Sequence, residues 1–322
     1  MEIRGKNMEK KLLSIIVTIY NNEKYIKKCL ESIGGFDREK VEVIIINDGS
    51  EDNSEIIIEE LNKENKYHYI KQRNSGVSNA RNRGIKEAKG DYLWFIDGDD
   101  FLEKDSLDRI IKELELNPQI ELLYFGINHY DKNYNFLGKD LPNNKNYYEK
   151  GILFNSPCNK IYNKIFLKKY NIEFCEKLCL GEDMNFNFKV FFNISKLKVL
   201  QEGLYNYYHS GIGATNDLEK RKKIFDTFDE MINSLLKNKK FEKMKKILEI
   251  YYIQNCIENL YKMILLSNLS FSIKIKAVKE IDKKIDDRKW YFDKKYSYIR
   301  MRFKYKYLKK YLIKLLINKL VK

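Results

Sequence analysis

No stretch of eighteen or more apolar residues occurs in this 322-residue chain; the longest comparable run, Leu12 to Tyr20, is nine. A helix that crosses a bilayer needs about twenty, so none is expected. The opening residues, MEIRGKNMEKK, lack an apolar core of signal-peptide length, which leads us to expect a cytosolic protein. Cysteine is sparse and odd in number. Cys29, Cys158, Cys175, Cys179 and Cys256 form no C-x-x-C pair, which excludes a zinc site of the usual spacing and points to reduced and mostly packed thiols. Acid is almost missing from one segment alone: between Arg288 and Lys322 thirteen Lys or Arg stand against Asp293. That tail carries +12 of the formal net charge of +15, leaving +3 on the other 287 residues. A chain that is nearly neutral over its body is not built as a nucleic-acid binder.

What is present is an alternation. Leu12–Thr18 and Val41–Asn47 are short runs rich in Ile, Val and Leu, and Tyr92–Ile96 is apolar and aromatic, as strands buried on both faces of a parallel sheet require. Helical patterns separate them. Residues 23–33 place Tyr25, Ile26, Cys29, Leu30 and Ile33 on one face, Ser54–Leu61 follows an Asp-Asn-Ser cluster suited to capping, and Asn79–Ala88 stops at Lys89-Gly90. A helix is expected over 104–116 and a strand over Ile120–His129, with a loop or edge hairpin over Asp131–Lys150. This is the pattern of a doubly wound α/β unit. From Asp217 onward glycine is absent and long Lys/Glu/Ile/Leu patterns predict a helical C-terminal region, so the chain divides into residues 1–216 and 217–322.

Three strand ends carry polar clusters: Thr18-Ile19-Tyr20-Asn21-Asn22-Glu23, Asn47-Asp48-Gly49-Ser50 and Asp97-Gly98-Asp99-Asp100. In open parallel sheets ligands bind beyond the carboxyl ends of the strands. In an extended segment residues two apart project to the same side, so Asp97 and Asp99 can face one ligand. Carboxylates crowded together repel one another unless a cation sits among them. Oxygen donors with no Cys or His pair nearby suit Mg²⁺ or Mn²⁺, which carboxylates commonly hold together with substrate phosphates. Gly98 permits close approach of another backbone or of a phosphate.

In sequence order, SIIVTIYNNEKYIKKCLESI, VEVIIINDGSEDNS and NSGVSNARNRGIKEAKGDYLWFIDGDD resemble three successive blocks of family 2 glycosyltransferases, and CNKIYNKIF, LGEDMNFNFKVFF and YNYYHS resemble later ones. The resemblance covers roughly residues 12–215 and implies a GT-A fold, a UDP-sugar donor and a Mn²⁺ or Mg²⁺ ion. It implies that Thr18 and Tyr20, with Glu23, line the nucleoside pocket and that Asp48 contacts the uracil ring. Arg81, or alternatively Arg73, would stand near the donor. Asp97 would bind ribose or metal and Asp99 would ligate the metal between the phosphates. Asp183 matches the family's general base, with Glu182 supporting it. His209 and Ser210 fall where relatives face the diphosphate, with Thr215 nearby, and Lys160 falls on the acceptor side. The Gln-x-x-Arg-Trp block of processive members is missing, which implies one sugar per encounter.

The tail RMRFKYKYLKKYLIKLLINKLVK spaces Leu308, Tyr311, Leu312, Leu315 and Leu316 as a helix does, with lysines between. Such a segment either lies on an anionic membrane surface or packs as a terminal helix with solvated lysines. Acceptors in the resembled family are often polyprenyl-diphosphate-linked glycans at the inner face of the membrane, which a membrane-bound tail would suit. Two rivals fit less well. A phosphohydrolase needs Thr or Val after its D-x-D, where Asp100 stands here. A partner-binding protein working through its basic tail leaves the three acidic strand ends unexplained.

Overall fold

The computed structural model describes residues 11–142, 156–209, 218–237, 248, 260, 263–264 and 270–287. The chain divides into two compact units, one of Met1–Tyr147, Phe154–Lys177 and Glu182–Ile212, the other of Tyr148–Leu153, Leu178–Gly181 and Gly213–Lys322.

The first unit is built on strands β1 (Leu13–Ile19), β2 (Val41–Asn47), β3 (His68–Lys71), β4 (Tyr92–Asp97), β5 (Phe101–Leu102), β6 (Leu122–Tyr130), β7 (Phe136–Asp140), β8 (Lys160–Asn163) and β9 (Leu197–Tyr208). Helices α1 (Ile26–Ile33), α2 (Ser54–Asn65), α3 (Val77–Glu87), α4 (Ser106–Leu116), α5 (Lys164–Lys169) and α6 (Glu182–Asn193) complete it. One sheet runs in the order β3-β2-β1-β4-β8-β6-β9-β5, with β7 paired to β6. β3, β2, β1 and β4 are mutually parallel. The sheet as a whole is mixed rather than parallel, because β8 runs antiparallel to both β4 and β6.

Every residue of β1 is buried, which the unbroken run LSIIVTI demands of a strand covered on both faces. Alternate residues divide between the faces. Ile15, Val17, Ile45, Trp94 and Ile96 pack in one core with Ile26, Cys29, Leu30 and Ile33 of α1 and Ile110 and Leu114 of α4. On the other face α3 lies so close to β1 that a Cβ added to Gly84 would collide with Ile16. There Phe95 meets Phe174 and Phe186 edge-on at 5.2 and 5.9 Å, and those two rings stack at 4.0 Å. Each fully buried aliphatic or aromatic side chain contributes about 1.5–3 kcal/mol.

The second unit holds α7 (Leu218–Lys222), α8 (Ile224–Lys237) and α9 (Phe271–Asp286). In α8, Ile224, Phe225, Phe228, Met231 and Ile232 recur at helical spacing and are buried. Lys222 pairs with Glu219 at 2.7 Å and Glu280 at 2.6 Å. Among the described residues no helix is long and apolar enough to cross a membrane. The basic segment 288–322 lies outside them.

Candidate functional site

The strand order turns on β1, whose neighbours β2 and β4 are reached by connections running in opposite directions, and the polar clusters meet at the carboxyl ends of these three strands. Thr18 is directly opposite Asp97 in the ladder, and Ile19 is opposite Asn47, the residue before Asp48. The side chain of Thr18 is buried, and Tyr20 just beyond it is 47% exposed.

Much of this polar chemistry ties loops together. Asn21 adopts a left-handed φ of 54° and its N–H donates to Ser50 Oγ at 3.0 Å, while Asn22 N–H donates to Ser54 Oγ at 2.9 Å. Glu23 Oε2 accepts from the backbone and side-chain amides of Asn53 at 3.1 and 3.0 Å, holding the N-terminus of α2. Beside this network lies a cavity of about 450 Å³ lined by Asn21, Glu23, Lys24, Tyr25, Glu51 and Asp52. Asp48 likewise accepts from Gln72 Nε2 at 2.8 Å and from the N–H groups of Ser75 and Gly76 at 2.9 and 2.8 Å. It thereby anchors the loop that leads into α3, whose N-cap Gly76, at φ 87°, has no side chain to offer. Gly49 serves the same approach, since a Cβ there would stand 2.7 Å from Asn74 N. Gly98 admits Ile19, Asn22 and the Thr18 carbonyl, all within 3.2 Å of where its Cβ would be, so here the close neighbour is protein.

The three carboxylates of WFIDGDD have different fates. Asp100 is buried and clamps β4 to β9: Tyr205 Oη donates to Oδ2 at 2.6 Å and Tyr208 N–H to Oδ1 at 2.8 Å. Burial, then Asp99 and Asp97, push its carboxyl well above the ordinary range. Burial and the neighbouring Asp97 raise Asp99 to about 6. Asp97 accepts from Arg81 Nη2 at 2.8 Å on Oδ1 and from Cys158 Sγ at 3.5 Å on Oδ2.

Arg81, on α3, is only 3% exposed. Its Nη1 donates to Asp183 Oδ1 at 2.5 Å, in the first turn of α6, so one guanidinium bridges Asp97 and Asp183. Its carbon centre lies 5.1 Å from the Phe174 ring. Burial works against its charge, but Asp183 and Asp97 outweigh burial and raise the guanidinium further. The resident cation among the acidic strand ends is therefore an arginine. Asp183 itself is held above the usual carboxylate range by burial, against the opposing pull of Arg81. Glu182 is raised to about 7 by burial and by Asp183.

Sequence reasoning missed several partners. Lys160, expected either on the acceptor side or as a solvated lysine, is fully buried in β8, and burial lowers its ammonium to about 7. It donates to Ser156 O at 2.7 Å and Asn159 Oδ1 at 2.8 Å. His209 has a ring nitrogen 3.0 Å from His129 Nδ1, and His129 Nε2 is 3.0 Å from Asp140 Oδ2. Burial and His129 lower the His209 imidazole. No local motif points to His129, which register alone brings there. Asn185 is buried with neither amide atom partnered among the described residues. Ser210 and Thr215 lie outside the described residues.

Asp97 keeps Oδ2 clear of Arg81, and Asp99 makes no ion pair or hydrogen bond to another side chain among the described residues. No group of three or more His, Cys, Asp or Glu suited to a metal exists among those residues. Two carboxylates without further protein donors fit a hard cation that also takes oxygens from a phosphate ligand.

The profile of Glycosyl transferase family 2 matches residues 14–171, which takes in the three strand ends and stops short of Asp183. The glycosyltransferase EpsH of Bacillus subtilis, itself described as putative, is 28% identical over 79% of this chain and 79% of its own length. TarS of Staphylococcus aureus, a poly(ribitol-phosphate) β-N-acetylglucosaminyltransferase, is 30% identical over 60% of this chain but only 35% of its own length. The structure of TarS residues 1–349 with UDP-GlcNAc superimposes with a TM-score of 0.55 at 21% identity, covering 85% of this chain and 72% of that one. A mannosyltransferase of Pyrobaculum calidifontis, solved with GDP-Man and Mn²⁺, superimposes with a TM-score of 0.55 at 13% identity over 96% of this chain and 88% of that one.

Proposed function

The chain belongs to glycosyl transferase family 2 and has its GT-A fold; from that premise we propose that it transfers single sugars from a UDP-sugar to a hydroxyl of a growing surface glycan, with inversion at the anomeric carbon. The observation that carries this reading is the Asp97–Arg81–Asp183 bridge, which joins the strand-end acids to a carboxylate on another element. In our reading Thr18, Tyr20 and Asp48 line the nucleoside end, with Glu23 shaping the loop around it. Asp97 and Asp99 would hold a Mn²⁺ or Mg²⁺ ion with the diphosphate. The ion, when bound, supplies Lewis-acid stabilisation of the charge that builds on the departing diphosphate.

Asp183 acts as general base. It takes the proton of the acceptor hydroxyl as that oxygen attacks the anomeric carbon, while the bond from that carbon to the diphosphate oxygen breaks and its electron pair leaves with UDP. Inversion follows because attack and departure occupy opposite faces. We assign His209 and Ser210 to the diphosphate side on the resemblance alone. The acceptor we infer is a glycan carried on a polyprenyl diphosphate, and the basic segment 288–322 would hold the enzyme at the inner face of the membrane.

Calorimetry with UDP, UDP-glucose, UDP-galactose and their N-acetylated forms, each with and without Mn²⁺, tests the donor side. Binding of one sugar nucleotide, tight only with Mn²⁺, is expected. A folded sample that binds none of them refutes the UDP-sugar reading.

A further inference from the structure

Arg81 is almost wholly buried among the acids of the site, and the resemblance that names it points only to the donor. Its environment says something narrower. The side chain is 3% exposed, both terminal nitrogens are committed to carboxylates, and Nε is buried with no partner among the described residues. Enclosure, with one N–H of each terminal nitrogen already spent, leaves little of this guanidinium open to a diphosphate. We infer that Arg81 is a positioning residue: it fixes the place and the ionised state of Asp183 by bridging it to Asp97, and does not itself bind the donor phosphates. This rests on the reading of Asp183 as base.

The geometry explains why arginine is needed. α3, β4 and α6 each supply one corner of the bridge, at 2.5 and 2.8 Å, and the Phe174 ring lies beside the guanidinium at 5.1 Å. Only a planar fork meets two carboxylates from separate nitrogens while lying against a ring; an ammonium is a point donor on a flexible stem. The charges facing Asp183 are Arg81 from α3, Asp97 from β4, Lys160 from β8 and Glu182 beside it, with the Tyr162 phenol also within electrostatic reach. Burial and the acidic neighbours favour the protonated carboxyl, whereas Arg81 and Lys160 favour the carboxylate that a base must be. Arg81 contacts it directly, at 2.5 Å.

The test is Arg81→Lys in the full chain, with UDP plus Mn²⁺ as the binding probe and the sugar nucleotide selected by the calorimetric panel as the donor for turnover. UDP affinity, which Arg81 reaches only through Asp97, is expected to fall by much less than kcat, which drops about 100-fold, the loss typical of a reacting group misplaced by about 1 Å. The acid limb of the kcat/KM profile moves to higher pH, because Asp183 without its bridge takes up a proton sooner. In an Asp183→Asn background the same change should remove little more. Phe174→Leu, which takes away the ring but leaves the ion pairs, should shift both quantities in the same direction by less, and serves if Arg81→Lys melts early. Weakened UDP binding with kcat and the acid limb unchanged overturns the inference and makes Arg81 a donor ligand. Wild-type behaviour of Arg81→Lys overturns it as well. Failure of the function itself is distinguishable: Asp183→Asn would then transfer at the wild-type rate, or the wild type would bind no donor.

Discussion

Lys160→Met removes a fully buried charge while keeping an unbranched side chain of similar length. In the folded protein burial lowers the ammonium from 10.5 to about 7, with Cys158 and Asp183 pulling the other way. The unfolded chain therefore binds a proton that the folded chain does not, between pH 7 and 10.5. Stability of the wild type should rise with pH across that window, by about 1.4 kcal/mol per pH unit from this one group. Below pH 7 both states are protonated and the folded state carries the whole cost, about 5 kcal/mol over the full interval. Methionine is spared that cost but takes the ammonium from Asn159 Oδ1, a loss of about 1–3 kcal/mol for a buried polar group left unpaired; Ser156 O keeps the longer bond from Asn187 Nδ2 at 3.4 Å. The two oppose each other at pH 6, so the slope of the difference with pH, rather than its absolute value, tests the argument. Urea unfolding of both proteins at pH 6, 7, 8 and 9 measures it. Lys160→Met should lose ground to the wild type steadily from pH 7 upward. A difference independent of pH refutes the argument that Lys160 is a charge held against its solvation.

Gly84→Ala should lower the melting temperature even though alanine gains about 1 kcal/mol in a helix interior. Its Cβ would collide with Ile16 Cγ2 and stand 3.2 Å from Cγ1, and overpacking of this kind costs about 1–3 kcal/mol; adding Ile16→Ala should recover part of the coupling, read from thermal melts. Tyr205→Phe takes the 2.6 Å hydrogen bond from the buried Asp100 and should cost about 1–3 kcal/mol, seen as a lower denaturant midpoint with the secondary structure retained by circular dichroism. Asp99→Ala should abolish Mn²⁺-dependent UDP binding in calorimetry, whereas Asp183→Asn should bind UDP normally and release no sugar to acceptor.

Long, strongly patterned elements were legible. β2 spans the expected Val41–Asn47, and β1, β4, α3 and α4 lie within a few residues of expectation. The buried face expected of residues 23–33 is that of α1 except at Tyr25, which precedes the helix and packs against Tyr208 at 5.0 Å. Short elements were not legible. HYIK of β3, FL of β5 and KIYN of β8 are two to four residues long. None has room for a periodicity, and each is held in place by ladder hydrogen bonds from its neighbours. β9 is long, but Gln201-Glu202-Gly203 interrupts it, and its pairing with β6 shifts register there. The antiparallel β8 turns an expected parallel sheet into a mixed one.

By itself the sequence determined that apolar strands would alternate with helices, that acids would gather at the strand ends, and that the blocks run in the order of family 2 glycosyltransferases. These are local properties, written in runs of a dozen residues or fewer. Which side chains are spent on the scaffold was decided only by the tertiary structure. Asp100, one of the strand-end acids, and Glu23 and Asp48, which the resemblance names, each engage backbone N–H groups, which bury safely only when paired. Asp97 and Asp183 are 86 positions apart in sequence, and nothing in either neighbourhood says they share a cation. Three separate elements bring Arg81, Asp97 and Asp183 together, because a buried charge is tolerated only where opposite charge reaches it.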